Sequence, residues 1–177
     1  MRLLNLLNGE DSWHDKEQLE EVRLLTKQFF TSHQNELNKV VNYAQAIRNL
    51  TDVIDSFIQQ NTSVVCPHCQ GVCCLNRHGY YDYEDLIYIS AIGAAPPAYT
   101  EGIDDTAPCQ FLSTSGCLLT RAIRPFRCNW HFCDALLTHM ENGPARSYRN
   151  FINRFHEIIH LRKQMIDGCH EITLRLI

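Results

Sequence analysis

Eight cysteines between Cys66 and Cys133 are the residues of this chain best suited to chemistry. Thiolates are soft ligands that suit zinc and iron–sulfur clusters, and they are also nucleophiles. The first group is Cys66, Cys69, Cys73 and Cys74 in the string Cys-Pro-His-Cys-Gln-Gly-Val-Cys-Cys. A two-residue gap, as between Cys66 and Cys69, lets both sulfurs of one turn face a single ion while backbone amides donate to them. Pro67 and Gly71 suit such a turn. Side chains of the adjacent Cys73 and Cys74 point apart in extended chain, so the two serve different metals, or one packs as a small apolar residue. The second group is Cys109, Cys117, Cys128 and Cys133. Eight thiols permit two four-sulfur sites, or one site with spare thiols for redox or metal transfer.

Other polar residues lie close by. His68, His78 and His131 neighbour cysteines and could replace a thiolate, although eight sulfurs leave them unneeded. Arg121 and Arg124 can stabilise an anionic thiolate cluster or form surface ion pairs, and Pro125 would fix the turn that follows. Asp82, Glu84 and Asp85 read more simply as the start of a helix, where carboxylates complement open amides, than as ligands. Tyr80, Tyr81 and Tyr83 read as packing over the site. The ninth cysteine, Cys169, stands apart and reads as structural.

Composition narrows the function classes. With 45% hydrophobic and 20% charged residues the 177-residue chain is expected to fold as one domain without staples. A net charge of −4 leaves no basic excess to neutralise phosphates, so nucleic acid is not an expected partner. No run of eighteen apolar residues offers a membrane span, and the first nine residues lack a signal peptide's pattern. The expected compartment is the cytoplasm, where thiols stay reduced and metal ligation outranks disulfides.

The elements that must position these residues are mainly helical. Leu19, Val22, Leu25, Thr26 and Phe29 predict an amphipathic helix from about Asp15 to Thr31. Ser32 is the expected N-cap of a second, longer helix running to about Gln60. The stretch from Asn61 to His78 loses periodicity and reads as a loop. Asp82 is expected to cap a helix from Tyr83 to Ile92, stopped by Gly93, Pro96 and Pro97. A surface loop from Ala98 to Pro108 leads to a small hairpin within Cys109 to Thr120. A short helix from Asn129 to Met140 and a long one after Pro144, ended by Gly168, complete the reading. The expected fold is mainly α, a helical bundle with an irregular, metal-stapled cysteine region and at most one short β-hairpin. Its parts are an N-terminal helical pair over 1–61, a cysteine region over 62–142 and a C-terminal helix and tail over 143–177.

The order Cys66, Cys69, Cys73-Cys74, then Cys109 with Phe111, Gly116-Cys117, Arg124-Pro125, Cys128 and Cys133 resembles the bacterial eight-cysteine cluster family of zinc- or iron-chelating domains. The resemblance covers about residues 66 to 133. Thr120 stands where relatives often carry Tyr, and Asn129 where Arg is common. The resemblance implies zinc or iron held by all eight cysteines, supports a role for Arg124, and leaves His131 as a neighbouring group. The expected partners are a metal ion and a protein. The alternative is an enzyme: an iron–sulfur redox protein, or a relative of the larger flagellin lysine methylases, whose cysteine cluster is similar. No G-x-G-x-x-G loop accompanies the cysteines here.

Overall fold

The computed structural model describes residues 16–68, 74, 79–100, 102–104, 106–114 and 116–175. These residues are mainly α. In chain order they form α1 (Lys16–Ser32), α2 (Asn38–Val65), a 3-10 turn (Cys66–His68) and α3 (Tyr83–Ala91). The hairpin strands β1 (Leu112–Ser113) and β2 (Gly116–Cys117) follow, then a second 3-10 turn (Arg121–Ile123). The chain continues through α4 (Phe126–Trp130), α5 (Asp134–Glu141) and α6 (Ala145–Arg175). No described helix is long and apolar enough to cross a membrane.

The chain divides into two compact units, each drawn from separate stretches. The first takes the described residues of Met1–Arg48, Tyr80–Glu101 and His160–Ile177. Its core follows helical spacing: Val22, Thr26 and Phe30 on α1, Val40, Ala44 and Ile47 on α2, and Met165, Ile166 and Cys169 on α6 are all buried. Helix α1 packs against α3, whose Leu86, Ile87, Ile89 and Ala91 are buried as the sequence leads one to expect.

Helix α3 carries its own start and stop. The Asp82 side chain accepts from the Asp85 amide while the Asp85 carboxylate accepts from the Asp82 amide, which closes a capping box. At the other end Gly93 takes φ +71°. The Ala94 N–H donates to the Ile89 carbonyl and that of Gly93 to Ser90, the bond pair of a Schellman turn.

Two helix boundaries in this unit differ from expectation. Ser32 does not cap α2; it is the last residue of α1. Helix-type bonds bridge the connection, His33 N–H to Phe29 O, Leu37 N–H to His33 O and Val41 N–H to Leu37 O, and α2 starts only at Asn38, too far along the chain for the Ser32 side chain to be its N-cap. Gly168 does not end α6, which runs on to Arg175. A Cβ at Gly168 would lie 3.4 Å from Val40 Cγ2, so this glycine permits close approach of two helices.

The second unit takes the described residues of Asn49–Gly79 and Gly102–Ile159. Here α2 passes the expected end at Gln60 and reaches Val65. Asn61 Nδ2 donates to Phe57 O, Thr62 Oγ1 to Ile58 O and Ser63 Oγ to Gln60 O, so these polar residues turn back on the helix rather than ending it. The hairpin is antiparallel with Leu112 opposite Cys117 and Ser113 opposite Gly116. Gly116, the first residue of β2, takes φ +109°, a conformation open to glycine.

The single helix expected over 129–140 is instead two. Extended backbone at Cys133 (ψ 160°) and His131 (ψ 100°) separates α4 from α5. This break lets Phe132 lie edge-on to Phe151 at 5.7 Å and to Phe155 at 6.0 Å. Phe57 stacks on Phe151 at 4.8 Å and Phe126 on Phe155 at 6.5 Å. Five phenylalanines thereby clamp the chain on both sides of Cys128 and Cys133, each pair contributing about 0.5–1.5 kcal/mol beyond its buried area.

Candidate metal centre

All six described cysteines of the two groups, Cys66, Cys74, Cys109, Cys117, Cys128 and Cys133, belong to the second unit, and Cys169 belongs to the first. Cys66 opens the 3-10 turn that follows α2. Cys109 precedes the hairpin, Cys117 closes its second strand, Cys128 lies within α4, and Cys133 is the N-cap residue of α5. Cys74 and Cys128 are exposed, and Cys66, Cys109, Cys117 and Cys133 are half-buried. Cys69, Cys73 and His78 lie outside the described residues.

Two contacts join the sequence-separated groups. The Cys109 N–H donates to the Cys74 carbonyl at 2.7 Å, a strong backbone bond between one residue of each group. Gly79 lies so close to the second group that a Cβ there would stand 3.8 Å from Cys128 Sγ and 3.7 Å from both Phe111 Cδ2 and Pro125 Cγ. Gly79 thus lies directly against Cys128.

Two arginines, Arg121 and Arg124, follow the hairpin. The Arg121 side chain is buried, and its Nε donates to the Asp55 carboxylate. Burial pulls the Arg121 guanidinium below its ordinary value; the Asp55 bond opposes this, Arg124 pulls the same way as burial, and Cys117 opposes it. Arg121 therefore feels both Arg124 and Cys117. Arg124 Nε donates to the Leu119 carbonyl at 3.0 Å, which folds it back on the chain between Cys117 and Cys128. Asn129, beside Cys128, is buried: its Nδ2 donates to the Arg121 carbonyl at 3.3 Å, while Oδ1 has no hydrogen-bond partner among the described residues. Such an acceptor is costly unless a donor reaches it.

The remaining expected groups are distributed differently. His131 is exposed at the end of α4 with its ring 6.2 Å from Trp130, and His68 is exposed in the first 3-10 turn. Tyr80 and Tyr81 pack with Tyr99, and Tyr83 stacks with His170, all in the first unit. Asp82 and Asp85 serve the α3 cap, and with Glu84 they surround the buried Arg162. Cys169 is buried, and burial pushes its thiol up to about 11.

Thiolate is a donor suited to soft or borderline metals such as zinc and iron, and the six described cysteines of the two groups fall in one unit. Among the described residues no group of three or more His, Cys, Asp or Glu side chains is disposed to hold an ion. Sequence reading passed over Asp55 and the clamp residue Phe132, and noted Asn129 only as a departure from the family pattern and as the start of a helix. Asp55 lies in mid-helix between Ile54 and Ser56 and carried no signal of its pairing with Arg121.

The site thus defines a mainly α protein with a cysteine-rich unit. No family model, curated protein or solved structure matches the chain.

Proposed function

We propose that this protein is a cytoplasmic metal-binding module that holds zinc or iron, with an iron–sulfur cluster as one form, through thiolates of its eight-cysteine cluster. The observation that carries this reading is segregation: the described cysteines of both groups fall in one unit, with Cys109 bonded to the Cys74 backbone, while the ninth is buried in the other. A cysteine kept only for packing would be buried like Cys169, whereas Cys74 and Cys128 reach solvent. The resemblance to the eight-cysteine family points the same way.

Arg121 and Arg124 support an anionic centre. Four thiolates around a divalent ion leave a charge of about −2 at the site, and a guanidinium in a poorly hydrated place gains most from such a neighbour. Helix α2 leads directly into Cys66, and the phenylalanine clamp flanks Cys128 and Cys133. On this reading the metal serves a protein partner, either as structure or as cargo.

The test is metal and acid-labile sulfide content, with an absorption spectrum, on full-length protein purified anaerobically without immobilised-metal resin. One or two zinc ions in colourless protein, or iron with sulfide and visible absorbance, supports the proposal. Protein lacking both metals overturns it.

A further inference from the structure

The first unit holds a cavity of about 510 Å³ between α1, the start of α2, and α3 with its Schellman turn. This volume lies within the range of about 300–1,000 Å³ common to small-molecule sites. Its floor is apolar: Phe30 and Leu86 are buried, with Val41 beside them. Ala91, Ala94, Ala95 and Pro96 form one wall, small residues that keep the space open. The rim is polar, with Thr31, Gln34, Asn38 and Ser90, and it carries two cations, Arg23 and Lys27, and no acidic residue among the described residues.

The charge balance selects the ligand. Arg23 is already held by both oxygens of Glu20, one turn back on α1. Lys27 is in no ion pair among the described residues and stands exposed at the rim one turn further on. One uncompensated cation over an apolar floor matches one monoanionic head group on an apolar body. A phosphate dianion would call for at least one further unpaired cation.

We propose that this cavity binds a small amphipathic carboxylate, with the carboxylate on Lys27 and the hydrocarbon on Phe30, Val41 and Leu86. The proposal is independent of the metal reading, since no cysteine lines the cavity among the described residues. A buried methylene contributes about 0.8 kcal/mol, equal to about a fourfold change in affinity, and a half-open cavity returns part of that.

The experiment titrates the full chain with butanoate, hexanoate, octanoate and octan-1-ol, read by amide NMR shifts and calorimetry. Expected are saturable shifts at Lys27, Gly93 and Ala94, and affinity rising about two- to fourfold per methylene from butanoate to octanoate. Lys27→Gln should weaken octanoate about tenfold and leave octan-1-ol unchanged, and Ala94→Phe, which fills the space from its wall, should abolish both. Lys27 is exposed, so its variant tests binding without threatening the fold. Absence of saturable shifts at these amides, octan-1-ol binding as tightly as octanoate, or an unaltered octanoate affinity in Lys27→Gln would each overturn the proposal.

Discussion

Arg162 and Asp85 meet at 3.0 Å with side chains only 8% and 4% exposed, and two further carboxylates, Glu84 at 3.2 Å and Asp82 at 3.6 Å, approach the same guanidinium. Asp85 thereby serves two structures at once, the α3 capping box and a buried ion pair with α6. The first unit has a polar nail within its apolar core.

Removing the cation leaves a buried carboxylate and two neighbours without compensation. Arg162→Met should cost about 3–5 kcal/mol of stability, because an unpaired buried charge is far more expensive than the pair is favourable. Adding Asp85→Asn should recover about 1–3 kcal/mol of that loss as coupling. Urea midpoints of the wild type, both single variants and the double variant measure it, and strict additivity would contradict the pairing.

Cys169 gives the protein a defined alkaline limit. Its thiol is raised from an ordinary 9.0 to about 11 because burial disfavours the thiolate. Below pH 9 the thiol is protonated in both folded and unfolded chains, and its stabilising neutrality is intact. From pH 9 to 11 the unfolded chain ionises first, so about 2–3 kcal/mol is lost across that window. Cys169→Ala should flatten this part of the stability profile relative to wild type. At pH 8 iodoacetamide should modify the exposed Cys74 and Cys128 of metal-stripped protein well before Cys169, as read by peptide mass mapping.

Gly168 tests the helix contact directly. An alanine there gains about 1 kcal/mol of helix propensity, set against a Cβ placed 3.4 Å from Val40 Cγ2. Gly168→Ala should thus stay within about 1 kcal/mol of wild type, while Gly168→Leu should lose about 1–3 kcal/mol through overpacking. Thermal melts of the two variants separate these outcomes, and a tolerated leucine would show that the helices do not approach closely here.

The helices were largely legible in the sequence because their burial follows periodicity: the stripes through Val22–Phe30, Val40–Ile58 and Phe151–Ile166 are the faces that pack. The α3 cap was legible too, since Asp82 and the glycine at 93 are local signals with local consequences. Gly168 misled because a residue that favours a helix terminus acts there only if the chain ends its hydrogen bonding nearby, and α6 continues to Arg175; Ser32 misled because α1 extends to it and α2 begins only at Asn38. The break at His131–Cys133 depends on the ring of Phe132 finding Phe151 and Phe155, a contact set at long range. At the candidate site the cysteine positions were plain from spacing. Asp55 was not, because it meets Arg121 across 66 positions of sequence.

If the two cysteine groups act together, removing one thiolate from the second group should release metal, whereas the buried ninth cysteine should be dispensable. Cys109→Ser should lose at least half of the bound metal and Cys169→Ala none, with elemental analysis normalised to folded protein by circular dichroism.

The most direct measurement is the metal content of the wild-type chain itself, taken by elemental mass spectrometry with a sulfide assay on anaerobic, resin-free protein. At least one zinc or iron per chain, released by thiol alkylation, is the outcome expected of a thiolate-held centre; well-folded protein with no bound metal and eight readily alkylated cysteines would contradict it.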